Sequence, residues 1–308
     1  MAYIWQISVV QLGDKKIFKG VILEGLPSNK KGKVRSVRNF SIVIGSYFKK
    51  PYAEKKIILT INKNQYIIKT DKQGGFSLKL DQKIDANFKI ITEDQSQPLK
   101  IVQTYPVFFK ESEYPLNIIS DVDDTILVSH TASLWKRVSN LLFVPAHKRK
   151  SISYAREILN KISSYNGRIF YVSKSESNLF DMLTTFIENK NLPMGSLTLT
   201  PYLRFKQLLS PKKGKDFKER MIRSIMDHSP DKKFILIGDD TQQDIAVYTR
   251  IAELFPHQIV KIYIRKTRKN LLGNKKEQMK KLLNLAVSVE YFSGEADPFK
   301  EIAFIENH

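Results

Sequence analysis

Cysteine is missing from all 308 residues, which excludes disulfides, thiolate metal sites and cysteine nucleophiles, and suits a reducing compartment. Long apolar runs are missing as well. No stretch approaches the roughly 20 residues that a bilayer-spanning helix needs. The opening segment MAYIWQISVVQLGDKK alternates like a strand, with no basic region before it and no small-residue cleavage site. It therefore reads as a strand rather than a signal peptide, and the expectation is a cytoplasmic protein, soluble or peripheral at a membrane. Internal repeats and low-complexity tracts are also absent. Acidic residues are scarce relative to basic ones, 31 against 51, for a net charge of +20. That surplus favours anionic partners: nucleic acid, phosphorylated metabolites or an acidic lipid surface. Solubility in a lysine-rich proteome would produce the same surplus with no partner at all.

What is present is globular in composition, with 42% hydrophobic and 11% aromatic residues, and the length suits two domains. Residues 1–110 read as all-β. Eight alternating runs recur: YIWQISVV, KIFKGVIL, FSIVIGSYF, KKIILTI, QYIIKT, FSLKL, NFKIIT and LKIVQTYPVFF. In TDKQGGF, Gly74 and Gly75 can supply the positive φ of a hairpin turn, and the whole suggests an antiparallel sandwich. Its carboxylates are scattered, so it is expected to be an accessory domain.

From residue 111 to 308 short apolar strands alternate with amphipathic helical segments, from NIISDV and SYAREILNKI through KFILIGD, DIAVYTRIAELF and IVKIYIR. This rhythm predicts an α/β domain with a Rossmann-like parallel sheet wrapped by helices. The lysine-rich stretch 265–285 reads as a basic C-terminal extension, a solvated loop and helix. In parallel sheets of this kind the active site lies beyond the carboxyl ends of the strands.

Applying that rule gathers a constellation. Strand NIIS delivers Asp121, Asp123 and Asp124; RIFYV delivers Ser173; KFILIG delivers Asp239 and Asp240, followed by Asp244. Lys218 falls early in the helix before the last of these strands. Clustered carboxylates repel one another unless a hard cation neutralises them, and an oxygen-only ligand set favours Mg²⁺. A carboxylate nucleophile, a metal clamp, a second carboxylate for protons and a lysine for phosphoryl charge together suit phosphoryl transfer.

In order along the chain, DVDDT, VSKS, a lysine and GDDTQQD resemble the four motifs of the haloacid dehalogenase superfamily of phosphatases. DVDDTI with SHT, FYVSKSESNLFDMLTTFIENKNLPMGSLTL and KFILIGDDTQQDIAVYTRIAELFPHQIVKIYIR resemble one branch more closely. That branch is the actin-patch-protein type of phosphatidate phosphatase catalytic domain, and the resemblance covers roughly residues 111–270. It implies Asp121 as nucleophile and Asp123 as general acid/base whose main-chain carbonyl also ligates the metal. It also implies Ser173 and Lys218 as phosphoryl-binding groups and Asp239 as the metal carboxylate. Thr125 would support the loop turn and Asp124 would brace it. Asp240 reads as a ligand or a supporting group, and Asp244 as a second acid of the motif or a helix cap. Lysines of PKKGK at 211–215 compete with Lys218 for its role. Lys174 and Glu176, and Asp240 with Thr241, depart from the family pattern at the lip of the site. The substrate implied is phosphatidate, cleaved to diacylglycerol and phosphate. A polynucleotide end, a soluble phosphorylated metabolite, or a non-catalytic adaptor on anionic membrane or nucleic acid stand as alternatives.

Segment 133–150, SLWKRVSNLLFVPAHKRK, sets Leu134, Trp135, Leu141, Leu142 and Phe143 among five cations. It reads either as an apolar wedge at an anionic lipid surface or as a helix packed on the core. His130 and His147 lie close to the first motif in sequence and read as loop or surface residues.

Overall fold

The computed structural model describes residues 1–25, 45–81, 87–93, 97–122, 125, 153–204, 216–240, 243–267, 271, 273–293 and 297–306. Asp123, Asp124, His130, His147, Thr241, segment 133–150 and the lysines at 211–215 lie outside the described residues. Two compact units are present. The first comprises 1–111, 175–185 and 199–213; the second comprises 112–174, 186–198 and 214–308. Among the described residues, no helix is long and apolar enough to cross a membrane.

The first unit is built on two sheets. In one, strands β1 (Ala2–Leu12) and β2 (Lys15–Glu24) form a long antiparallel hairpin, closed at Gly13, whose φ is +56°. Short β3 (Lys50–Pro51) and β6 (Gly75–Leu80) both pair with β2, and β8 (Phe108–Phe109) pairs with β1. The other sheet has the order β5 (Asn64–Lys69), β4 (Lys56–Ile61), β7 (Phe88–Thr92), all antiparallel. A single apolar cluster draws Ile4, Ile7, Val9, Phe18 and Ile22 from the first sheet and Ile57, Leu59, Ile61 and Ile90 from the second. A register shift between Ile4 and Gln6 explains the parity of β1. Before the shift Ala2 and Ile4 face this cluster; after it Ile7 and Val9 do, because one extra residue flips the alternation.

Three local expectations change. Gly74 alone of its pair has a positive φ, +75°, and its turn passes from one sheet to the other, because β5 and β6 do not pair. Of FSIVIGSYF, residues 40–44 lie outside the described residues, and the remainder is a helical and turn segment rather than a strand. LKIVQTYPVFF yields only the two-residue β8 and one bridge at Ile101, and β8 runs parallel to β1, not antiparallel. Here the Gln103 side chain replaces ladder bonds: its Oε1 accepts from the Ile7 N–H at 2.5 Å and its Nε2 donates to the Ile7 carbonyl at 3.0 Å.

A six-stranded sheet, most of which belongs to the second unit, has the order β11 (Ser196–Thr200), β10 (Ile169–Glu176), β9 (Leu116–Ser120), β12 (Lys233–Asp239), β13 (Ile259–Arg265), β14 (Ser288–Phe292). Every registered pair in it is parallel. β9 is central and buried at every position, as a parallel strand covered on both faces must be. Helices α1 (Ser153–Ser164), α2 (Phe180–Asn189), α3 (Phe217–Asp227), α4 (Asp244–Leu254), α5 (Asn274–Leu283) and α6 (Phe299–Glu306) alternate with the strands. Helix α1 packs on β9 and α6, and α4 packs on β12, β13, α3 and α5. The fold is therefore mixed α/β, a parallel sheet with separate antiparallel sheets. The stretch 265–285 is less solvated than its lysines suggest: α5 buries Met279 and Leu282, and a further strand and helix follow it.

Candidate active site

Register places the site. Ser120, the last residue of β9, pairs with Tyr171 of β10 on one side and Ile237 of β12 on the other. Parallel strands share one carboxyl edge, so Asp121, Ser173 and Asp239 emerge within a residue or two of the same line. All three side chains are buried, and Thr125 with them. The Asp121 N–H donates to the Ile237 carbonyl at 2.8 Å, continuing the ladder to the site itself.

Lys218 enters from α3. The helix buries positions 218, 222, 225 and 226, the i, i+4, i+7, i+8 face of an α-helix, so the lysine stands in the apolar stripe. Its Nζ lies 2.8 Å from Asp121 Oδ1 and 2.5 Å from Asp244 Oδ1, with every side chain fully buried. Burial alone would push the ammonium down; Asp121 and Asp244, with a smaller contribution from Tyr248, hold it well above the usual lysine range. Nζ also stands 5.7 Å from the centre of the Tyr248 ring. Burial drives the Tyr248 phenol upward against the pull of Lys218, so the hydroxyl stays protonated and donates to the Ile237 carbonyl at 2.8 Å.

Asp244 is the first residue of α4 and is wholly buried. Its second oxygen accepts from the Asp239 N–H at 3.3 Å. Gly238 makes this approach possible. A Cβ there would lie 2.6 Å from Asp244 Oδ2 and 2.7 Å from the Tyr248 ring. Thr125 Oγ1 stands 3.2 Å from Asp121 Oδ2 and 3.5 Å from Asp239 Oδ2, bridging these two carboxylates.

Asp121, Asp239 and Asp244 each offer an oxygen within 4.8 Å of the others, a set that could hold a metal ion. Among the described residues this buried cluster carries three carboxylates against the one buried ammonium of Lys218. The residual of two negative charges in a water-poor site fits a hard divalent cation. Asp244 meets Lys218 Nζ with one oxygen and the Asp239 N–H with the other.

Lys174, partly exposed just past Ser173, donates to Gln243 Oε1 at 2.9 Å. Burial and then repulsion from Lys218 lower its ammonium, while Asp244, Asp121 and Asp239 oppose that shift. Asp240 does not join the acidic cluster. Its carboxylate accepts from the Thr267 N–H at 3.2 Å, the Thr267 hydroxyl, and the Tyr291 hydroxyl at 2.7 Å. Thus Asp121, Thr125, Lys218, Asp239 and Asp244 come together, Ser173 and Lys174 lie at the same strand edge, and Asp240 turns away. Sequence reasoning missed Gly238, Gln243 and Tyr248. Of these only Tyr248 had a local signal, one helical turn beyond Asp244.

Residues 116–266 match the family described as phosphatidate phosphatase APP1, catalytic domain. The Phosphatidate phosphatase APP1 of Saccharomyces cerevisiae is 31% identical over 208 residues, 64% of this chain and 34% of that protein. An uncharacterized protein of Schizosaccharomyces pombe is 26% identical over 180 residues, 57% of this chain and 29% of that one. The chain thus spans about a third of the length of these curated relatives. Among solved structures, the Pnkp1/Rnl/Hen1 complex overlaps 68% of this chain and 55% of the matched chain at 12% identity, with a TM-score of 0.32, too low to identify a shared fold.

Proposed function

Residues 116–266 belong to the phosphatidate phosphatase APP1 catalytic-domain family, and from that premise we propose that this chain is a Mg²⁺-dependent phosphomonoester hydrolase whose substrate is phosphatidate. The observation that carries the reading is the buried contact of Asp121 with Lys218 at the end of the central strand. An ammonium 2.8 Å from Asp121 Oδ1 keeps that carboxylate ionised and aimed.

An Asp121 oxygen attacks phosphorus in line, forming the acyl–phosphate bond as the bond to the glycerol oxygen breaks. Asp123, by the resemblance, protonates the departing alkoxide, releasing diacylglycerol. The same residue then takes a proton from water, which attacks the aspartyl-phosphate, frees inorganic phosphate and restores Asp121. Ser173 and Lys218 hold the phosphoryl oxygens through this sequence. Asp121, Asp239 and Asp244 would hold Mg²⁺, which when bound neutralises phosphoryl charge and orients it. The haloacid dehalogenase-like assignment of the sheet belongs to this same reading.

The test is phosphate release from short-chain phosphatidate, an oligonucleotide phosphate and an aryl phosphate, with Asp121→Asn as control. Mg²⁺-dependent release, fastest from phosphatidate and abolished by Asp121→Asn, is expected. Release from none of them overturns the enzymatic reading, and preference for the oligonucleotide overturns the lipid one. Binding to anionic vesicles without turnover favours an adaptor.

A further inference from the structure

Asp240 is held at every polar group it has. Its N–H donates to the Arg265 carbonyl at 3.2 Å, and its own carbonyl accepts from Lys275 Nζ. Its carboxylate takes the Thr267 N–H at 3.2 Å, the Thr267 hydroxyl, and the Tyr291 hydroxyl at 2.7 Å. The residue is fully buried. It follows Asp239 directly and precedes Asp244 by four positions, so it lies between two members of the acidic cluster in the chain.

The side-chain donors come from three places: the end of β13, helix α5 and strand β14. All three residues, Thr267, Lys275 and Tyr291, lie beyond the segment 116–266 that matches the family model. Here two side-chain hydroxyls, an N–H and an ammonium converge on the residue that follows a candidate ligand in the chain, one residue further out than the partners that orient ligand carboxylates in metal sites.

We propose that Thr267, Lys275 and Tyr291 are positioning residues for the cation site, acting through Asp240 on Asp239, so that helix α5 and strand β14 support that site. This rests on the reading of Asp121, Asp239 and Asp244 as a divalent-cation site. Loss of such supporting partners costs 10–100-fold in metal affinity in comparable sites, on the order of magnitude.

The experiment is equilibrium binding of Mn²⁺ alone, by electron paramagnetic resonance, to the full chain and to Tyr291→Phe, Thr267→Val, Thr267→Ser, Lys275→Met and Asp239→Asn. Denaturant midpoints without metal are measured alongside. Tyr291→Phe, Thr267→Val and Lys275→Met are expected to weaken Mn²⁺ binding by about 10-fold or more. Thr267→Ser, which keeps the hydroxyl, is expected to bind like the unsubstituted protein. Unchanged Mn²⁺ affinity in Tyr291→Phe and Lys275→Met, with or without a lower midpoint, reduces these residues to structural roles and overturns the proposal. If the unsubstituted protein binds no Mn²⁺, or Asp239→Asn binds it equally well, the cation site itself is wrong and the proposal falls with it.

Discussion

Lys218 and Asp121 stand 2.8 Å apart with neither side chain exposed to solvent, one from the start of a helix and the other from the end of the central strand. Removing the ammonium leaves Asp121 and Asp244 facing each other unneutralised. Lys218→Met is therefore expected to lower stability by about 3–5 kcal/mol, the cost of breaking a buried ion pair. It should also cut turnover of the folded fraction by roughly 100-fold or more. Denaturant unfolding and phosphate release on the same sample check both, and wild-type turnover in Lys218→Met would remove Lys218 from the mechanism.

Gly238 has no room for a methyl group. Alanine would put Cβ 2.6 Å from Asp244 Oδ2 and 2.7 Å from the Tyr248 ring. A shift of about 1–3 kcal/mol in unfolding free energy is expected for such overpacking. Activity should fall further than stability, because Asp244 is the atom group displaced. A Gly238→Ala protein with native activity at ambient temperature would show that the helix can move aside.

Lys174 adds a cation at the rim of the site, held to Gln243 at 2.9 Å. If it meets substrate charge, Lys174→Met should raise KM for a dianionic phosphomonoester by about tenfold, equivalent to about 1.4 kcal/mol, and leave kcat nearly unchanged. The effect should shrink at high salt. Steady-state kinetics at two ionic strengths would detect the opposite pattern, a fall in kcat at constant KM, which would assign Lys174 to the transition state instead.

Glu301, on the last helix, is buried against Lys261 at 2.5 Å and the Tyr263 hydroxyl, both on β13. Glu301→Leu removes the charge and strands Lys261. A loss of roughly 3 kcal/mol is expected, with kcat per folded molecule retained. Urea midpoints and active-site-normalised rates separate the two. A selective loss of kcat would tie this helix to the chemistry.

The parts of the site that could be read from the sequence are those carried by one strand end at a time. NIIS running into Asp121 and KFILIG running into Asp239 give themselves away, because an apolar run ending in carboxylates is costly without a reason. Lys218 was named from its place in the order of motifs, with the lysines at 211–215 competing; that it stands in the buried 218, 222, 225, 226 stripe is what the structure adds. The environment of Asp240 could not be read. Its partners lie 27, 35 and 51 positions away, and no local period connects them. In the first unit, alternation marked the strands but not their sheets. Hence the turn at Gly74 read as a hairpin, although β5 and β6 belong to different layers. LKIVQTYPVFF alternated well, but Pro98 and Pro106 cannot donate to a ladder, and a glutamine side chain took over the pairing of Ile7.

The central position of β9 has a consequence for how the chain acquires its chemistry. Its neighbour β12 arrives more than a hundred residues later, and Thr125 meets Asp239 across a separation of 114 positions. During synthesis Asp121 emerges long before Lys218, Asp239 and Asp244. Closing so long a loop is entropically slow, so the acidic cluster is among the last features to assemble. A half-made chain thus carries Asp121 without Lys218, Asp239 and Asp244, and the buried cluster is complete only once β12 has joined β9. Pulse-labelled hydrogen exchange during refolding should show the β9–β12 amides protected no later than the first appearance of phosphate release.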